Sequence, residues 1–247
     1  MIDKRNKWLA FCVLFCLLVL PNGAWASNKR IMTINAAKVV AERALMETVY
    51  GLKVRGNESV ENMIATSYMG TAESKTEAQI VGVVFEDSVY DEKQDIAKVT
   101  ASISLASITN INGDKVDLQG KVFRRVGFAT STPSLSGPLK ALRAAEIDAY
   151  IQLAKALVGY TLESRTTVEN YILTSDVIHT KVMATLFMAQ VTEYGWHKNG
   201  NAYVKMVLSP ADVGDVLGMK LAKVSGAIEV EGVGSQTDDF SKTKEVK

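Results

Sequence analysis

The chain has 247 residues, and its apolar and charged fractions, 47% and 22%, are those of a folded protein rather than a disordered or fibrous one. Its formal net charge of +1 gives no electrostatic case for nucleic acid. The length fits one large domain or two of about 100 residues each, so composition alone does not choose between them.

Residues 1–26 read as a signal peptide. Lys4, Arg5 and Lys7 form a basic start, Trp8 to Leu20 is an apolar run, and Ala24-Trp25-Ala26 places small residues where a signal peptidase reads them. Cleavage is expected between Ala26 and Ser27. An uncleaved anchor is the alternative, but thirteen residues at about 1.5 Å each fall short of a hydrocarbon core of about 30 Å. Both cysteines, Cys12 and Cys16, lie in this run, each behind a phenylalanine rather than the small residues of a lipid-attachment site. The exported chain is thus expected to lack disulfides, thiolate nucleophiles and cysteine-bound metal. The leader removes three basic residues and one acidic, which turns +1 into −1.

Two phrases nearly coincide, Ser59-Val60-Glu61-Asn62 and Thr167-Val168-Glu169-Asn170. With Gly51 set against Gly159, the stretches 36–67 and 144–175 align without a gap, and 11 of the 32 pairs are identical. Unrelated chains of this composition would share about two. This predicts two tandem copies of a small α+β module, a long helix and a short helix packed on an antiparallel sheet. The first is expected over 27–110 and the second over 111–225, with a disordered tail at 226–247.

In the first copy Ala78 to Tyr90 and Ile96 to Ile108 read as a hairpin, and Asn112-Gly113 as the next turn. Lys121 to Thr130 reads as the strand leading into the second copy. There Ser136-Gly137-Pro138 predicts a capped helix start, with the helix running to about Val158 and ended by a left-handed Gly159. Two apolar stripes leave only Lys140, Asp148, Gln152 and Lys155 as a solvent face, so this helix needs more than one neighbour. Thr166 to Glu169 matches a capping box, in which Glu169 closes the start of a second helix. Lys181 to Tyr194 and Ala202 to Leu208 read as strands joined at Asn199-Gly200, and Ser209-Pro210 opens a last helix to about Val224. Gly232-Val233-Gly234 reads as linker within the tail.

Reactive residues are few. His179 and His197 stand apart from any partner at ligand spacing and are expected at the surface or in loops; no nucleophile elbow, phosphate loop or calcium loop is present. Catalytic, cofactor-binding and metal-binding residues are therefore expected to be none, and the chain is read as no enzyme. One candidate interface pair remains: Glu146 on the apolar face of the second long helix, and its equivalent Lys38 in the first. If the copies pack face to face these opposite charges would meet; otherwise Glu146 pairs with Arg143 or reaches solvent.

The run Leu142 to Ala154, with Gly159, Thr166-Thr167-Val168-Glu169 and Ser175-Asp176, resembles a bacterial envelope family of small outer-membrane lipoproteins and flagellar FlgP-type proteins, with a related module in FlgT-type proteins. The resemblance covers 122–208 best. It implies a helix packed on a small sheet, no catalysis, and self-assembly or attachment to outer-membrane and flagellar structures. The lipidated cysteine of the lipoproteins is absent and two modules stand where one is usual. The expectation is an exported structural or assembly protein of the Gram-negative envelope, periplasmic or outer-membrane associated, without an integral membrane segment. The alternative is a periplasmic binding module that holds a peptide, glycan or small ligand between its copies.

Overall fold

Alternating burial, clearest over 202–208 and 228–234, and broad apolar faces on two long helices yield a mixed α+β fold with two three-stranded antiparallel sheets. The structure, a computed structural model, describes residues 23–53, 81–109, 113–224 and 226–235. The apolar run holding both cysteines, the phrase at 59–67 and the last residues of the tail lie outside the described residues. Helix α1 (Gly23–Lys53) precedes β1 (Val84–Asp91), β2 (Ile96–Thr109) and β3 (Lys115–Ala129), which pair in the order β1-β2-β3. A 3-10 turn at Pro133–Leu135 leads into α2 (Ser136–Gly159). Then come α3 (Val168–Ile172), α4 (Asp176–Leu186), β4 (Gln190–Trp196), β5 (Ala202–Leu208), α5 (Pro210–Leu217) and β6 (Ile228–Gly234), with a second sheet ordered β4-β5-β6. The expected leader cleavage site falls within α1, which begins at Gly23.

Each long helix lies across two strands of one sheet, α1 on β2 and β3, α2 on β5 and β6. Alanines make this approach possible. Ala37 and Ala41 of α1, and Ala141, Ala145 and Ala149 of α2, are buried against the sheet. The strand beneath supplies glycine at the crossing. A Cβ at Gly127 would overlap the backbone of Ala37 and Ala41, and one at Gly232 would overlap that of Ala145 and Ala149. Larger residues at these positions would lift the helix from the sheet and open a gap along the row of buried leucines and valines beside it.

The structure departs from the sequence-based expectation at several points, each for a physical reason. Lys115–Ala129 pairs with β2 along most of its length, so the division expected at 110/111 cuts through the first sheet. Residues 228–234, expected in the disordered tail, form β6 and pair with β5 from Ala202↔Gly234 to Leu208↔Ile228. The glycines that suggested linker are there to let α2 come close. Residues 181–186, expected in a strand, belong to α4, where Ser175 caps the start by accepting from the Val177 amide at 3.1 Å and a buried face runs through Val182, Met183 and Leu186. The last helix ends at Leu217, not near Val224, because Gly218 takes the left-handed conformation at φ 73°.

Two caps also differ. No side chain caps α2; the 3-10 turn runs straight into it, and Gly159 is its last helical residue rather than a left-handed stop. In α3 the cap is Thr167, which accepts from the Asn170 amide at 3.2 Å, so Glu169 stands one place early for the reciprocal bond of a capping box. Gly127→Ala and Gly232→Ala are each expected to lower stability by about 1–3 kcal/mol, read as the urea midpoint at unchanged slope.

Candidate functional site: a buried charge network between the two sheets

Strand alternation puts Phe123, Arg125, Gly127 and Ala129 on the face of β3 that meets α1. A guanidinium therefore enters a position otherwise given to apolar or small side chains. Arg125 is 2% exposed. One of its nitrogens donates to the Thr48 hydroxyl of α1 at 2.7 Å, another to a Glu146 oxygen of α2 at 2.9 Å. The Thr48 hydroxyl donates its own proton to the Ala44 carbonyl at 2.9 Å. Two rings flank the guanidinium, Tyr150 with its centroid at 4.9 Å and Phe187 at 5.6 Å, and these rings lie 5.4 Å from each other.

Glu146 is 1% exposed and accepts from Arg143 on its second oxygen at 2.7 Å. Arg143 then reaches back to Glu47 of α1 at 3.6 Å. Burial alone would push the Glu146 carboxyl up, but Arg143 and Arg125 outweigh it and hold it below its ordinary value. Tyr150 is pushed up to about 12, chiefly by burial, and its phenol stays neutral. The network joins α1, β3 and α2. Its groups are ionised and paired with each other, which suits holding the sheets in one orientation rather than attacking a substrate.

Further contacts surround it. The Arg124 amide donates to the Phe187 carbonyl at 3.1 Å, Phe128 packs on Tyr194 at 4.8 Å, and Lys121 is forked between Asp212 at 2.9 Å and Asp215 at 2.8 Å. The outer edge of β3 is thus held by the second half of the chain.

A second cluster pins the connection between β3 and α2. Asp95, at the end of the β1–β2 turn, takes Thr33 (3.2 Å) and Tyr90 (3.0 Å) on one oxygen, and Thr130 (3.2 Å), Ser131 (2.9 Å), Thr132 (2.6 Å) and Lys29 (3.1 Å) on the other. Burial opposes its charge, yet these hydroxyls and the ammonium hold the carboxyl far below the usual carboxylate range. Its backbone stands at φ 49°, a left-handed position.

The candidate pair Lys38–Glu146 is not formed within the chain, whereas the alternative pairing of Glu146 with Arg143 is. Lys38 lies over the Phe85 ring at 5.4 Å, while Glu146 meets Arg125 as well as its neighbour Arg143. Glu146 does face the first half of the chain, but its partner is a strand arginine. The signal for Arg125 was its alternation with Phe123 and Gly127. His179, expected at the surface, is 4% exposed on α4; its Nδ1 has no hydrogen-bond partner among the described residues, and burial lowers its pKa despite Asp176. His197 does sit in the β4–β5 loop, exposed and against Tyr203 at 4.8 Å. Among the described residues no group of three or more metal-ligating side chains occurs, and no helix is long and apolar enough to cross a membrane.

Arg125→Met is expected to cost about 3 kcal/mol, because it leaves a buried carboxylate with Arg143 as its remaining cation, and thermal unfolding measures this. The sign of each shift sets the pH profile. Asp95 and Glu146, both held below their ordinary values of 3.8 and 4.5, stabilise the fold above those values and lose that contribution as pH falls. His179, lowered from 6.5, favours the fold while neutral, so stability also declines as pH falls below 6.5. Replacing His179 by Gln should flatten the urea-midpoint profile just below pH 6.5, whereas Asp95→Asn should flatten it only below about 4.

Comparison of the chain with protein-family models, curated proteins and solved structures returned no match.

Proposed function

We propose that this chain is an exported, non-enzymatic structural protein of the Gram-negative envelope, built as two tandem copies of one module, that acts by self-association, with a flagellar basal structure as one place of action. Duplication is supported by the strand registers. Val99 pairs with Gly127 and Val204 with Gly232, Lys98 with Phe128 and Tyr203 with Val233, all at one offset of 105. The edge strands carry the same irregularity at the same place, between Phe85 and Asp87 and between Val191 and Glu193. The buried alanines keep the sequence offset of 108, as in Ala37/Ala145 and Ala41/Ala149, so the second copy is three residues shorter between helix and sheet.

The observation that carries self-association is exposed apolar surface on the first long helix and on the edge strand beside it. Ile31, Met32 and Val39 of α1 and Val84, Phe85 and Val89 of β1 are exposed among the described residues, and Lys38 lies between helix and strand over the Phe85 ring. β1 is also an edge strand, whose outer backbone groups offer a template for another chain. The alternative, a ligand held between the copies, loses support because Arg125, Glu146, Tyr150 and Phe187 already fill that contact.

Light scattering of the exported chain across a concentration range tests the reading. A mass above the monomer, reduced by Val39→Asp at unchanged melting temperature, is the expected result; a monomer throughout would oppose it.

A further inference from the structure

Resting on the self-association reading, we propose that the contact between the halves of one chain is the pattern for a contact between chains: the β6 edge of one copy docks on the α1–β1 face of the next, head to tail. Inside the chain, β3 is the inserted edge and α2 with β4 is the receiving face. The register equivalence puts β6 in the place of β3, with Val233 for Phe128 and Val230 for Arg125. On the receiving side, β1 stands for β4 with Ser88 for Tyr194, and α1 stands for α2 with Lys38 for Glu146.

Both equivalents are uncovered where the internal ones are covered. Phe128 is 9% exposed and Val233 45%, while half-buried Ile147 of α2 has as its counterpart Val39, which is 65% exposed. The charge balance differs as well. β3 carries Lys121 toward Asp212 and Asp215 and Arg125 toward Glu146, while Arg124 is held by Glu86 of β1. β6 carries Glu229 and Glu231 with no basic residue, and the helix position that faces it holds Lys38.

Complementarity is thus kept between β6 and α1, and a β6 edge would be repelled by a second Glu146 face. Val233, on the same face of β6 as the two glutamates, leaves an apolar centre with charge at its margin, the composition of a reversible contact rather than a buried ion pair. A joint of two unlike surfaces repeats from chain to chain and closes into a ring or continues as a filament.

The test uses the full chain with Cys12→Ser and Cys16→Ser, expressed for export. One preparation carries Ser88→Cys and another Val233→Cys, both at exposed positions, and a short bis-maleimide is added to each alone and to the mixture. Crosslinked dimer in the mixture well above either preparation alone is the expected result. Lys38→Glu should lower that yield several-fold, and Glu229→Lys with Glu231→Lys on the partner should restore it. Oligomers by light scattering without the mixed crosslink would overturn this joint and leave self-association standing. A monomer without crosslink would overturn both.

Discussion

A guanidinium and a carboxylate shut away from water, Arg125 and Glu146, set how the two sheets of this protein stand to each other. Desolvating two such ions costs several kcal/mol each, and their attraction offsets that only when every donor and acceptor is placed. Here the placement comes from three elements at once: β3 brings Arg125, α1 brings Thr48, and α2 brings Glu146 and Arg143. A rotation of one sheet against the other would leave a buried charge facing apolar rings. The pair therefore adds less to net stability than to the choice of one orientation, since alternatives that a purely apolar contact would tolerate are penalised by an uncompensated charge.

Asp95 plays the complementary part on the connection. Its carboxylate gathers the hydroxyls of Thr130, Ser131 and Thr132, which begin the segment from β3 to α2, together with Lys29 and Thr33 near the start of α1. In register, the second sheet has Gly200 at the place of Asp95, both with positive φ. Glycine relieves the left-handed backbone without further function; aspartate accepts the strain and uses it to aim a carboxylate inward. The first sheet thus grips the segment that leads out of it through Asp95, where the second sheet carries glycine.

Much of this organisation could be read from the residues, and the misses have identifiable causes. The helix from Ser136 was visible because its alanines and leucines recur at helical spacing, and the β4–β5 turn because Asn199-Gly200 suits a tight hairpin. Residues 181–186 misled because Val182 and Thr185 are β-branched, a local preference that burial of Val182, Met183 and Leu186 overrides. β6 was hidden since Gly232 and Gly234 look like linker until a helix is known to cross there. Glu146 drew attention as a charge on an apolar face, yet its partner came from a strand distant in sequence. Periodicity within one element cannot name a partner in another. Arg125, not among the candidates read from the sequence, alternates with Phe123 and Gly127, and that inward register is the signal that could have found it.

If the Arg125–Glu146 joint makes the halves one cooperative unit, native-state hydrogen exchange should show it most directly. The slowest amides of β2 and of β5 should open with the same free energy, and Glu146→Gln should lower both by the same amount. A fall confined to one sheet, with the other unchanged, would contradict the account and make the buried pair a local feature of its own half.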